Sequence, residues 1–132
     1  MTDTRPRLEP GPDHPITIRP STGHVSVRQG STVIAETDRA LELREANYPP
    51  VFYIPLDDVD QQLLGASDEH TYCPYKGEAS YYDIVPRDGE TLGGAAWFYP
   101  DPYRAVDAIS GHVAFYADRV TITSESPVAE ST

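Results

Sequence analysis

A single cysteine and a single lysine stand three residues apart in Thr71-Tyr72-Cys73-Pro74-Tyr75-Lys76-Gly77, in a chain of 132 residues whose nine other cations are all arginine. An ammonium beside a thiol favours the thiolate, which is how a protein makes a cysteine nucleophilic or oxidisable. Pro74 suits the second position of a tight turn and keeps Cys73 extended. A turn over Cys73 to Lys76 brings its end Cα atoms within about 7 Å. Gly77 then allows the chain to leave with a positive φ. Pro74 has no N–H to donate to an oxyanion forming beside the sulfur. With no second cysteine, disulfide chemistry at Cys73 would be intermolecular or stop at a sulfenic acid.

In an enzyme, Cys73 is a nucleophile or redox centre, Lys76 lowers its pKa or holds an anionic substrate group, and Glu45 orients the lysine. His70 or His112 can approach as a base, although spacing fixes neither. In a binding module, Tyr53, Tyr75, Tyr81, Trp97 and Tyr99 line a pocket, while Lys76 and Arg44 fix an anionic or carbonyl group. Cys73 is then a small buried hydrophobe. In a purely structural or protein-interaction domain, the nine tyrosines and one tryptophan are the material of a small β core. The binding reading, for a small polar or anionic ligand, is the one carried forward. No cofactor is specified.

The elements that must position these side chains are mostly β. Val25 and Val27, then Gln29-Gly30-Ser31, then Val33 and Ala35 form a hairpin signal. In a strand from Ala40, Leu41, Leu43 and Glu45 share one face and Glu42 and Arg44 the other. Glu45 therefore either ends the strand in water or is a half-buried carboxylate that needs Lys76 or an arginine. Val51 to Ile54 is a short apolar strand closed by Pro55. Asp57 or Asp58 caps a short helix carrying Val59, Leu63 and Leu64, ended at Gly65; acidic residues there suit the helix dipole and are a poor metal site.

Glu78 to Val85 and Ala95 to Tyr99 are strands, the latter with Trp97 and Tyr99 on one face. Tyr103 to Ile109 makes a second short helix. His112 to Tyr116 and Arg119 to Thr123 make a final hairpin around Ala117-Asp118, with Tyr116 facing away from Val113 and Phe115. The sum is about eight short, largely antiparallel strands with two short helices. Residues 1–22, with five prolines among polar residues, read as a flexible arm in which His14 is solvated. Residues 23–123 are the single domain and 124–132 a flexible tail.

Composition narrows the partners. A net charge of −11 and an isoelectric point near 4.5 argue against nucleic acid or an anionic membrane surface. One cysteine excludes an internal disulfide and a four-cysteine zinc site, and fits a reducing, cytoplasmic setting. No run is apolar enough to span a bilayer and no secretory signal is evident. Oligomeric state is not encoded in any pattern found.

Arg44-Glu45, Pro50-Val51-Phe52-Tyr53-Ile54-Pro55 with Asp58-Val59, the cysteine-proline-x-lysine-glycine run with Tyr81, Ala96-Trp97-Phe98-Tyr99 with Pro102, and Ile109 to Tyr116 together resemble the family known as domain of unknown function 427. The resemblance covers nearly all of 23–123 and implies a β-tent-like fold, two sheets meeting at an angle with a pocket between them. Many β-tent relatives hold zinc through paired cysteines, so with Cys73 alone that metal is not expected. A nucleotidyltransferase label is sometimes attached to the family, but this chain has no Gly-Ser followed by paired aspartates of the kind with which that chemistry holds magnesium, and Asp57-Asp58 at a helix start is a weak substitute.

Overall fold

The computed structural model describes residues 5–87 and 89–125. Ten strands form two antiparallel sheets: β1 Ile16–Pro20, β2 His24–Gln29, β3 Thr32–Thr37, β4 Leu41–Glu45, β5 Val51–Pro55, β6 Leu64–Cys73, β7 Gly77–Ile84, β8 Leu92–Phe98, β9 His112–Phe115 and β10 Thr121–Glu125. The larger sheet runs β1-β4-β5-β9-β8-β7-β6 and the smaller β10-β2-β3.

The β2–β3 hairpin forms as its signal implies. Gln29 pairs with Thr32 across the Gly30-Ser31 loop. Gly30 has φ +59° while Ser31 does not share the positive region, the pattern of a type II′ turn with glycine first. The expected short helices are single 3₁₀ turns at Leu56–Asp58 and Gln61–Leu63, and a pair of turns over Arg104–Ile109 that meet at a kink at Val106. Asp60, rather than Asp57 or Asp58, is the side-chain cap, accepting from the backbone N–H of Gln62.

Eight expected strands become ten because two were unreadable. β6 is an edge strand, largely solvent-exposed along Gly65 to Thr71, so it shows no apolar alternation. β1 lies inside the stretch assigned to a loose arm, yet pairs with β4 over its full length, Ile16 opposite Glu45 and Pro20 opposite Leu41. Ile16 and Ile18 pack into the core, which offsets the cost of ordering the segment. The expected 1–22 arm is thus structured from at least Ile16, and Ser124 and Glu125, assigned to the tail, end β10; the rest of 124–132 lies outside the described residues.

The final hairpin does not form. Both edges of β9 are taken, by β5 and β8, so the chain crosses after Tyr116 and β10 pairs with β2 in the other sheet. Each face of the larger sheet is buried. One packs on the smaller sheet through Val25, Val27, Ile34, Ile54, Ile84, Val113 and Phe115. The other carries Leu43, Tyr53, Ala79, Tyr81, Tyr99 and Ala114 and is backed by Val106 and Ile109, both fully buried.

Strand alternation assigns the chemistry to that second face. Adjacent strands lie about 4.8 Å apart, so a flat sheet would hold β4 and β7, four places apart, about 19 Å from each other. Glu45 at the end of β4 nevertheless touches Lys76, which opens β7's turn, at 2.5 Å. The sheet therefore curls on itself and draws β4 and the start of β7 together over a concave face.

Candidate functional site

Lys76 reaches that concavity from the turn read in the sequence. Its backbone N–H donates to the Cys73 carbonyl at 3.2 Å, and Gly77 leaves with φ +112°. A Cβ on Gly77 would also meet the Asp101 carbonyl oxygen at 3.4 Å. The Lys76 carbonyl accepts from the Tyr103 N–H at 3.0 Å, so the turn is fixed from both sides.

Lys76 and Glu45 are a buried ion pair, with side chains 11% and 13% exposed. The half-buried alternative for Glu45 holds. Its second oxygen accepts from His14 Nε2 at 2.7 Å. Burial alone would push the Glu45 carboxyl up, but the hydrogen bonds from Lys76 and His14, with their charges, hold it below the ordinary carboxylate value. It is a carboxylate at neutral pH.

His14, expected in a solvated arm, is instead held at the site. Its ring stacks on Tyr75, centroids 4.1 Å apart, and meets Tyr48 edge-on at 6.4 Å. Residues before it are tied to the same turn: the Leu8 N–H donates to the Pro74 carbonyl at 3.0 Å and the Tyr72 hydroxyl to the Pro6 carbonyl at 2.7 Å. Arg5 and Arg7 lie over the rings of Tyr72 and Tyr103, each 4.2 Å from the centroid. A proline-rich composition cannot announce such contacts, because each partner lies far along the chain.

Beside the ion pair is a cavity of about 270 Å³, just below the range of about 300–1,000 Å³ typical of small-molecule sites. Glu45, Lys76, Tyr53, Tyr81, Trp97 and Tyr99 line it, with Leu43 and Val51. Tyr48, Pro49 and Tyr116 complete the wall; Tyr48 is 60% and Tyr116 37% exposed, which sets them at its rim. None of the eleven lining residues belongs to the smaller sheet, so this pocket lies in the fold of the larger sheet and not between the two sheets. Tyr116 was the one rim residue with a signal, its opposite parity to Val113 and Phe115.

Three hydrogen-bond donors point to unused capacity in this wall. The Tyr53 hydroxyl accepts from Trp97 Nε1 at 3.3 Å, and its own proton has no acceptor among the described residues. The Tyr99 hydroxyl, on a residue 7% exposed, has no partner among them. Burial raises both phenols well above their ordinary pKa, so both keep their protons. Lys76 has three N–H groups; one meets Glu45 and one faces Cys73 Sγ at 3.9 Å, which leaves one. Tyr81 is satisfied, its hydroxyl bonded to Thr71 Oγ1 at 2.8 Å and accepting from Tyr116 at 3.5 Å.

Three expected site residues fall outside the cavity wall. Arg44 projects from the opposite face of β4, as its parity requires, and pairs with Glu42 at 3.1 Å with its side chain 62% exposed. Tyr75 stacks on His14 instead of lining the wall. Cys73 is partly buried and packs beside the wall without forming part of it. Among the described residues no cluster of three or more histidine, cysteine or acidic side chains is placed to hold a metal ion, and no helix is long and apolar enough to cross a membrane.

Fold and site together define a small, mostly-β domain of two antiparallel sheets with an aromatic cavity closed by a buried lysine–carboxylate pair. Residues 17–126 match the family described as a domain of unknown function (DUF427), and the chain belongs to it. No curated protein matches the chain. The matched region begins after His14, so the segment that fastens Glu45 and the Cys73–Lys76 turn lies outside it.

Proposed function

We propose that this domain binds a small carbonyl-bearing ligand, polar or anionic, in the cavity beside Lys76. The observation that carries the reading is the convergence of three donors without acceptors, from Tyr53, Tyr99 and Lys76, on one aromatic-lined space. A ligand oxygen placed among these donors accepts hydrogen bonds from groups already in position, each worth roughly 0.5–1.5 kcal/mol net. Aromatic walls favour a flat ligand. Glu45 balances Lys76, so a neutral carbonyl compound needs no further charge; an anion has only hydrogen bonds to gain. In the same reading the protein works in a reducing, cytoplasmic setting, consistent with its single cysteine.

Catalysis by Cys73 has less support. The Lys76 ammonium is near the sulfur, but Cys73 is not among the residues that line the cavity. A thermal-shift comparison of benzamide, benzoate and toluene against the wild type and Lys76→Met tests the binding reading. Benzamide should raise the melting temperature of the wild type and lose most of that effect in Lys76→Met. Equal stabilisation by toluene, or stabilisation that survives Lys76→Met, would remove the role given to Lys76.

A further inference from the structure

The chain's only lysine is placed where a primary amine, a carboxylate and two phenols surround a space open to small molecules. Resting on the reading of this cavity as a ligand site, we infer that Lys76 condenses reversibly with small aldehydes, Glu45 carrying the protons and remaining as counter-ion. Lysine is suited to Schiff-base chemistry by its compact nucleophilic nitrogen, and here that nitrogen has a carboxylate within hydrogen-bond reach to carry protons.

The charges and atoms balance without any co-reactant. Glu45, 2.5 Å from Nζ, takes one proton from the ammonium. The freed nitrogen lone pair attacks the carbonyl carbon, and the C=O π pair moves to oxygen. That oxygen sits against the Tyr53 and Tyr99 hydroxyls, which donate hydrogen bonds to it, and takes the proton from Glu45. Glu45 then removes a second proton from nitrogen and delivers it to the carbinol oxygen. The C–O bond breaks, water leaves, and the nitrogen lone pair forms the C=N bond. An ammonium and an aldehyde have become an iminium and water. One positive charge stands beside Glu45 before and after, so the buried carboxylate never loses its counter-charge. The exposed rim rings of Tyr48 and Tyr116 leave a path for an aromatic aldehyde.

The test is reductive trapping of benzaldehyde with cyanoborohydride, read by intact mass and peptide mapping. The chain offers two amines, Lys76 and its own α-amine, and the second is an internal reference. Lys76 in the native protein should be benzylated about 100-fold faster than in the urea-unfolded chain, the lower end of what a positioned acid–base group contributes. Glu45→Gln should abolish most of that excess. Tyr99→Phe, which keeps the ring and its packing, should cut it about tenfold and serves if Glu45→Gln fails to fold. A native rate at Lys76 no greater than the unfolded rate overturns the inference. If benzamide still stabilises the protein in that case, only the condensation fails; if it does not, the ligand site fails with it.

Discussion

Removing one partner of the Lys76–Glu45 pair should cost far more than removing both. Side chains 11% and 13% exposed leave little water to solvate the survivor. Breaking such a pair typically costs about 3–5 kcal/mol, whereas replacing both members with apolar residues is often close to neutral. Glu45→Leu leaves the Lys76 ammonium with the Cys73 sulfur as its one remaining hydrogen-bond partner among the described residues, and should lose about 4 kcal/mol. Lys76→Met leaves Glu45 with the His14 hydrogen bond, so its loss should fall nearer 3 kcal/mol. The double variant should come within about 1 kcal/mol of the wild type. For a domain of this size each kcal/mol moves the melting temperature by roughly 3–5 °C, so the single variants should melt at least about 10 °C lower. Urea unfolding with an unchanged m-value measures all four corners of the cycle. Losses that simply add in the double variant would refute the argument, because the two groups would then act independently.

Other consequences are smaller. Glu45 has a folded pKa below its unfolded one, so its contribution is fully present above the unfolded value and is lost as pH falls through the folded one. The stability gap between wild type and Glu45→Leu should therefore be constant near neutrality and close in acid below about pH 4; urea midpoints across pH 3–7 follow it. His14→Ala should cost about 1.5–3 kcal/mol by urea unfolding, the range for a hydrogen bond to a charged group, and His14→Gln should recover part of that. Ala46 has φ +49°, a strained region for a residue with a Cβ, in the bend that follows Glu45 and leads to Tyr48. Relief of about 1–2 kcal/mol set against glycine's entropic cost of about 0.5–1 predicts that Ala46→Gly raises stability slightly, by up to about 1.5 kcal/mol in the same assay.

What the sequence revealed was whatever depended on neighbours within a few residues. The alternation of Leu41, Leu43 and Glu45 put the carboxylate on the apolar face, and the structure has it there. Trp97 and Tyr99, Tyr53, and the Cys73–Lys76 turn were readable for the same reason. Arg44 shows the discipline parity demands: one residue from Glu45 on a strand, it cannot share its pocket. Hidden were the features that need distant partners. β1 and His14 lie in a proline-rich segment whose composition resembles disorder, and contacts to β4, the core and the 72–76 turn, all far along the chain, make it worth ordering. β6 is polar because it is an edge. The β9 crossover could not be seen, since two short strands around Ala117-Asp118 look like a hairpin until β5 and β8 occupy both sides of the first. The curl that joins β4 to β7 is likewise a property of the whole sheet.

Because Lys76 is the only lysine, its ammonium gives one resonance in a ¹⁵N-lysine-labelled sample, and that resonance is the most direct view of the site. The account predicts a signal protected from exchange by Glu45, shifted by benzamide and not by toluene. A resonance that benzamide leaves unmoved, while it still raises the melting temperature, would place binding elsewhere and contradict the account.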